Sequence, residues 1–327
     1  MRTRFWTIAF ASLAAAAVLG VVLGPVRLSP WSLWAALAGH GDPVSVTIVQ
    51  TIRLPRVALA ALVGAALGMS GAAMQGTLRN GLAEPYLLGV SGGAAVGAVA
   101  AIALGWNAAV GVPLAAFVGA TGAAALVLSL SRIAGGRADV RLLLMAGVVV
   151  GAFANAAIMV AYATAPPETV RGALWWMMGS VDSADWQRVS WLTVYVAVGG
   201  SALVVWARDL DALALGDDGA AALGVDVERA SRRAYLLAAL LAAATVAAAG
   251  LVGFVGLVVP HMVRAAGLRR SRALMCGAAV VGATLVIAAD VVARTVRPPA
   301  ELPLGAVTAL LGVPFFLWQL RRLAARS

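Results

Sequence analysis

The chain of 327 residues contains no lysine, so all 24 of its basic side chains are arginines. A nucleotide-hydrolysing phosphate loop needs a lysine on the phosphates, and its absence excludes a self-contained ATPase of that kind. A single cysteine, Cys276, rules out an internal disulfide. With only His40 and His261 beside it, a protein-built zinc or haem site of the usual kind is not expected. Charge of either sign is scarce, 12% of residues against about 25% in soluble domains. What fills the chain instead is apolar: 62% hydrophobic residues and a mean hydropathy of +0.94. This is the composition of an integral membrane protein with little room for a soluble domain.

Apolar blocks fall at about 5–24, 57–78, 86–105, 110–131, 142–163, 190–207, 234–251, 252–266, 273–293 and 303–320, which predicts ten helices, each of about 20 residues where it spans fully. The first block follows the basic start Met1-Arg2-Thr3-Arg4. Its length favours an uncleaved span over a secretory signal. Residues 250–267 are broken by Gly253, Gly256 and Pro260, and predict a short helix buried in protein, where neighbours satisfy the freed backbone. The spacings Gly64 to Gly68, Gly93 to Gly97 and Gly147 to Gly151 predict close helix approach.

The arginines cluster between spans, a pattern of topology and not of nucleic-acid binding. With a cytoplasmic N-terminus, ten spans return the C-terminus to the cytoplasm. Arg79, Arg132, Arg137, Arg141, the 208–233 loop and residues 269–272 then also lie inside, while Arg27, Arg53, Arg56, Arg171, Arg188, Arg294 and Arg297 lie toward the outside. The 208–233 loop holds 10 of the 38 charged residues, and its Leu213 to Val225 segment reads as two short helices punctuated by Gly216, Gly219 and Gly224. Such a loop suits docking on a separate motor. Between the fifth and sixth spans, 166–188 is rich in tryptophan and reads as an outer interfacial helix or a re-entrant one.

Several separated motifs carry a resemblance. They are Arg53-Leu54-Pro55-Arg56, Ser70-Gly71 through Gln75, Arg79-Asn80-Gly81-Leu82-Ala83-Glu84-Pro85 with Leu88-Gly89-Val90, the Gly216 to Gly224 loop, Gly253 through Arg264, Ala289-Asp290-Val291-Val292-Ala293-Arg294, and Glu301 through Gly312. Taken in order over most of the chain, they resemble the permease subunits of type II ABC importers for iron complexes, haem and vitamin B12, the FecCD permease family. The resemblance implies an all-α, single-domain permease over 1–327 that works as a homodimer in the bacterial inner membrane. It also implies two cytoplasmic ATPase subunits carrying the ATP and magnesium, a periplasmic binding protein, and no cofactor held by this chain. The cargo it implies is a bulky metal chelate, an iron-siderophore or haem, with cobalamin as the alternative. Two departures lie in cytoplasmic turns: glycine replaces the family's usual proline at Gly81, and Arg269-Arg270-Ser271-Arg272 stands where the family has Asp-His-Arg.

By the same resemblance, Arg53, Arg56 and Arg294 receive acidic residues of the binding protein, although Arg294 also has Asp290 four residues before it as an ion-pair partner. The coupling residues are Leu215, Gly216, Asp217, Asp218, Gly219, Leu223, Gly224 and Val225, and Asp139, Val140 and Arg141 lie near the family's cytoplasmic gate. Gln75, Asn155, Met177 and Met178 are candidates for the pore lining, with bonding between helices as the other use of Gln75 and Asn155, and core filling as the other use of the methionines. A secondary transporter would want intramembrane carboxylates arranged for ions, and Asp290 beside Arg294 suits that poorly. His261 follows Pro260 in a motif shared by importers of unrelated cargo, which favours a structural role.

Overall fold

The computed structural model describes residues 2–135 and 140–324, and these form helices with short connections. In order they are α1 (Arg2–Val22), α2 (Pro30–Leu37), α3 (Pro43–Val46), α4 (Leu54–Thr77), α5 (Val90–Ala103), α6 (Gly111–Gly135), α7 (Val140–Thr164), α8 (Pro167–Met177), α9 (Trp186–Val205), α10 (Ala207–Leu213), α11 (Asp217–Ala222), α12 (Val227–Ala249), α13 (Val255–Ala265), α14 (Ser271–Thr295) and α15 (Leu304–Ala324). A π-helical stretch, Thr47–Arg53, leads from α3 into α4, and a 3₁₀ turn, Pro85–Leu88, precedes α5. Among the described residues seven helices are long and apolar enough to cross a membrane, and three shorter apolar helices, Val90–Ala103, Val255–Ala265 and Leu304–Trp318, complete the ten predicted from the apolar blocks.

The core sits around α4 and α12, whose apolar windows are 78% and 72% buried, against 22% for α1 and 28% for α9. Glycine is the reason α4 can be central. A Cβ on Gly64 would lie 2.1 Å from the Gly282 carbonyl oxygen, so α4 and α14 pack backbone to backbone. Gly71 makes the same contact with the Gly256 carbonyl, at 2.0 Å, which seats α13 on α4. Gly93 and Gly97 pack likewise against α6. In the third predicted pair Gly147 and Gly151 line a cleft, and a Cβ on Gly92 of α5 would lie 3.5 Å from the Gly151 Cα. The peripheral helices leave apolar surface bare, as on α7, where Val148, Phe153, Met159 and Val160 are each exposed.

Segment 166–188 is drawn into the bundle. The Met178 and Gly179 carbonyls at the end of α8 accept the Gly305 and Leu304 N–H groups that open α15, each at 3.0 Å, and the Ser180 N–H donates to the Ala249 carbonyl at 2.8 Å. Three chain breaks thus satisfy one another, as backbone ends removed from water must.

Candidate functional site

One end of the bundle carries the charged loop. Gly216, at φ 99°, and Gly224, at φ 77°, adopt backbone conformations that L side chains resist, and they bracket α11. The loop is anchored at two points: the Asp211 carboxylate accepts the Ser271 N–H at the start of α14, 2.8 Å away, and Asp217 pairs with Arg79 at 2.8 Å. Arg270, the residue before α14, offers no side-chain cap of its own, so the loop supplies one. What α11 leaves outward is mixed: Leu215 and Leu223 are 67% and 63% exposed, with Asp217 and Asp218 exposed between them. Gly219 and Val225 are half-buried beneath. The two bare leucines flank this short helix and form an exposed apolar patch.

Seated on α4 is α13, which has proline in its interior. Pro260 has no N–H, so the Gly256 carbonyl, its helical partner four residues back, is left without a donor. Gln75 of α4 supplies one: its Nε2 donates to the Gly256 and Leu257 carbonyls at 3.2 and 3.1 Å, and its Oε1 accepts from Arg264 Nη2 at 2.6 Å. Of the two uses the sequence left open for Gln75, the structure shows the bond between helices, and Gln75 does not line the cleft described below. His261 is structural as expected, its Nε2 bonded to the Gly81 carbonyl at 2.8 Å.

Sequence reasoning missed the roles of Arg79 and Glu84, using Arg79 for topology and as part of a motif and Glu84 only as a letter of that motif. The Glu84 carboxylate accepts the Phe254 N–H at the head of α13, 2.9 Å away. Burial pushes the Glu84 carboxyl up to about 7, against the opposing pull of that N–H. An acidic residue directly before Pro85 in a turn between spans was the available signal.

The opposite end holds the arginines expected to dock a partner. Arg53, Arg56 and Arg294 are instead buried, at 3%, 6% and 2% exposure, and occupied from within. Arg53 donates to the Val21 and Val22 carbonyls at 2.7 and 2.9 Å and to Val26, closing the turn after α1. Arg56 forks onto Asp290 at 2.8 Å and Glu301 at 2.7 Å. Arg294 lies 3.4 Å from Asp290 and donates to the Gly20 carbonyl at 2.6 Å. The i to i+4 pair is real, and α4 and the α14–α15 connection join it. The reason is the cost of Asp290 inside the apolar bundle, which only close cations offset. Glu301 is the looser partner, its side chain 29% exposed against 2% for Asp290. Outside the cluster Arg27 and Arg297 remain exposed.

A cleft of about 420 Å³ opens between α5, α7 and α8, lined by Tyr86, Ser91, Gly147, Gly151, Asn155 and Met177 among others. Of the residues considered for a pore lining, Asn155 and Met177 line this cleft. Met178 does not line it and is spent on the α8–α15 junction. Of the candidate gate, Asp139 falls outside the described residues, and α7 begins at Val140 and Arg141. Among the described residues no group of three or more His, Cys, Asp or Glu could hold a metal ion.

Relatives agree with this architecture. The chain is 41% identical over 303 residues to the cobalamin import system permease protein of Halobacterium salinarum, covering 91% of this chain and 81% of that one. It is 40% identical over 308 residues to the hemin transport system permease protein of Yersinia pestis, covering 92% and 90%. A solved inward-facing metal-chelate type ABC transporter superposes with a TM-score of 0.88 at 28% identity, covering 98% of this chain and all of that one. The family model for the FecCD transport family matches residues 12–322, and the chain belongs to that family.

Proposed function

We propose that this chain is the membrane permease of an ATP-driven importer, working as a homodimer in the cytoplasmic membrane with both termini inside. It takes a bulky metal chelate, an iron-siderophore or haem, from a binding protein on the far side. The observation that carries this reading is the α10–α11 loop, anchored to the bundle by Asp211 and Asp217 while Leu215 and Leu223 project bare. A chain without lysine for a phosphate loop draws its energy from a separate ATPase, and this loop is where that subunit docks. The exposed apolar face of α7, beside the cleft with Asn155 and Met177, suits a second copy closing a shared pathway.

At the arginine end, docking works by exchange: a carboxylate of the binding protein displaces Glu301 from Arg56. Arg53 and Arg294 hold the rim, and Arg27 and Arg297 steer the encounter. On this reading Glu301→Gln raises affinity for the binding protein at low salt, and unchanged affinity would refute the exchange. Cobalamin is the second reading for cargo, favoured by the Halobacterium relative.

The test is reconstitution with the partner ATPase and binding protein in proteoliposomes, using haemin, a ferric siderophore and cyanocobalamin as probes. Uptake is expected only with internal ATP, and the preferred probe identifies the cargo. Gly216→Val, which forces a branched side chain to φ 99°, is expected to leave ATP hydrolysis uncoupled from uptake or to release the ATPase. Uptake without ATP would sink the importer reading.

A further inference from the structure

The two described non-glycine residues with positive φ are Arg79, at 48°, and Phe254, at 67°. Such backbone is uncommon outside glycine and persists where surrounding contacts impose it. These two residues lie far apart in sequence but stand at the two ends of one short chain of contacts. Arg79 Nη2 meets Asp217 of α11 at 2.8 Å, and the Phe254 N–H meets Glu84 at 2.9 Å. Between them the turn 78–84 is stapled to itself and to α4. The Asn80 N–H donates to the Gln75 carbonyl at 3.2 Å, the Leu82 N–H to Asn80 Oδ1 at 2.9 Å, and the Ala83 N–H to the Asn80 carbonyl at 3.0 Å. Gly81 adds a third attachment through His261, and a Cβ there would lie 3.0 Å from the imidazole.

We propose that the turn 78–84 is a rigid tie that carries movement of α11 to the head of α13, with Arg79 and Glu84 as its two attachment points. This rests on the reading of α11 as the ATPase contact. Arg79–Asp217 is a solvent-exposed pair, and such pairs add little stability. Its use is to fix position: it is the point where α11 grips the turn, while Asp211 binds α10 separately to α14. At the far end Glu84 holds the first N–H of a helix whose N-cap offers no side-chain acceptor of its own. Phe254 in turn is packed against α15 at Gly312, where a Cβ would come within 2.8 Å of the Phe254 Cβ. Four residues earlier, Gly250 packs on the end of α8, whose Gly179 comes within 3.0 Å of a Cβ built there. Displacing α13's head therefore displaces the segment that lies against the cleft, where Leu251 is a lining residue. Arg79 and Glu84 are positioning residues and touch no cargo.

The experiment uses the full chain and has two independent readouts. In detergent without any partner, hydrogen–deuterium exchange over residues 250–258 is measured for the native chain, Glu84→Ala, Glu84→Gln, Arg79→Glu and the swap Arg79→Glu with Asp217→Arg. Exchange is expected to rise about tenfold in Glu84→Ala, where the acceptor is lost, and to stay near native in Glu84→Gln, whose amide oxygen still accepts. Arg79→Glu is expected to raise exchange over 250–258 by a few-fold although it lies at the other end of the tie, and the swap to restore it. Exchange over 250–258 that ignores Arg79→Glu overturns the proposal, and because that pair is exposed the variant is not expected to fail in folding. In the reconstituted importer, with haemin or cyanocobalamin as cargo, Arg79→Glu is expected to raise the ATP hydrolysed per molecule imported, and the swap to lower it again. A native ratio in Arg79→Glu overturns the tie. A native chain that imports without ATP, with exchange still responding to Arg79→Glu, overturns the proposed function and leaves the mechanical link standing.

Discussion

Replacing Gln75 by leucine tests how this fold accommodates a proline inside a buried helix. Leucine keeps the volume but removes the donor to the Gly256 and Leu257 carbonyls and the acceptor of Arg264 Nη2. A buried polar group left unsatisfied costs about 1–3 kcal/mol in soluble proteins, and bonds between membrane helices average about 0.6 kcal/mol. Three bonds to two buried carbonyls and one guanidinium then give about 2–4 kcal/mol of destabilisation. The cause can be isolated, because Pro260→Ala returns an N–H aimed at the Gly256 carbonyl. In the native chain that N–H serves a carbonyl already served; in Gln75→Leu it serves an orphan. The double-mutant cycle, read from reversible SDS unfolding in mixed micelles, is therefore expected to show about 1 kcal/mol of rescue specific to the leucine background. Packing lost with the proline ring is common to both backgrounds and cancels. Additivity within about 0.3 kcal/mol would show that Gln75 does not stand in for the missing donor.

Asp290→Ala leaves Arg56 and Arg294 buried with Glu301 as the remaining carboxylate, and is expected to cost about 3–5 kcal/mol, seen as a large fall in the detergent unfolding temperature. A fall no larger than that of an exposed-site control such as Asp182→Ala would contradict the clamp. Glu84 gives a pH dependence of known sign. Its carboxyl is raised from 4.5 to about 7 in the folded chain, so its contribution is fully present below pH 4.5 and lost as pH rises through 7. Relative to Glu84→Gln, native stability is expected to decline across that window, and parallel curves would show that burial does not raise this carboxyl.

Much of this protein was legible in one dimension because the bilayer constrains sequence directly. Each apolar block had to be long enough to cross, and the ten blocks correspond to seven long helices and three shorter ones. The short helix at Val255–Ala265 was readable from Gly253, Gly256 and Pro260, and so was the need for a neighbour to satisfy it. Which neighbour was not readable, because Gln75 lies 181 positions from Gly256. The same applies to Arg56, whose partners Asp290 and Glu301 are 234 and 245 positions away. Arginines at a span's outer end look the same in sequence whether they face a partner or close on a buried acid.

The sequence alone determined membrane residence, the helices and the loop that breaks the pattern, since composition and run length fix how a segment partitions between water and lipid. Tertiary structure decided what each polar residue does. In an apolar interior a charged or hydrogen-bonding group is defined by whatever reaches it within about 3 Å, and that distance exists only after folding. Thus Arg53, Arg56 and Arg294 turned inward, Gln75 became a prosthetic donor for Pro260, and Glu84, unremarked in the chain, came to hold the head of α13.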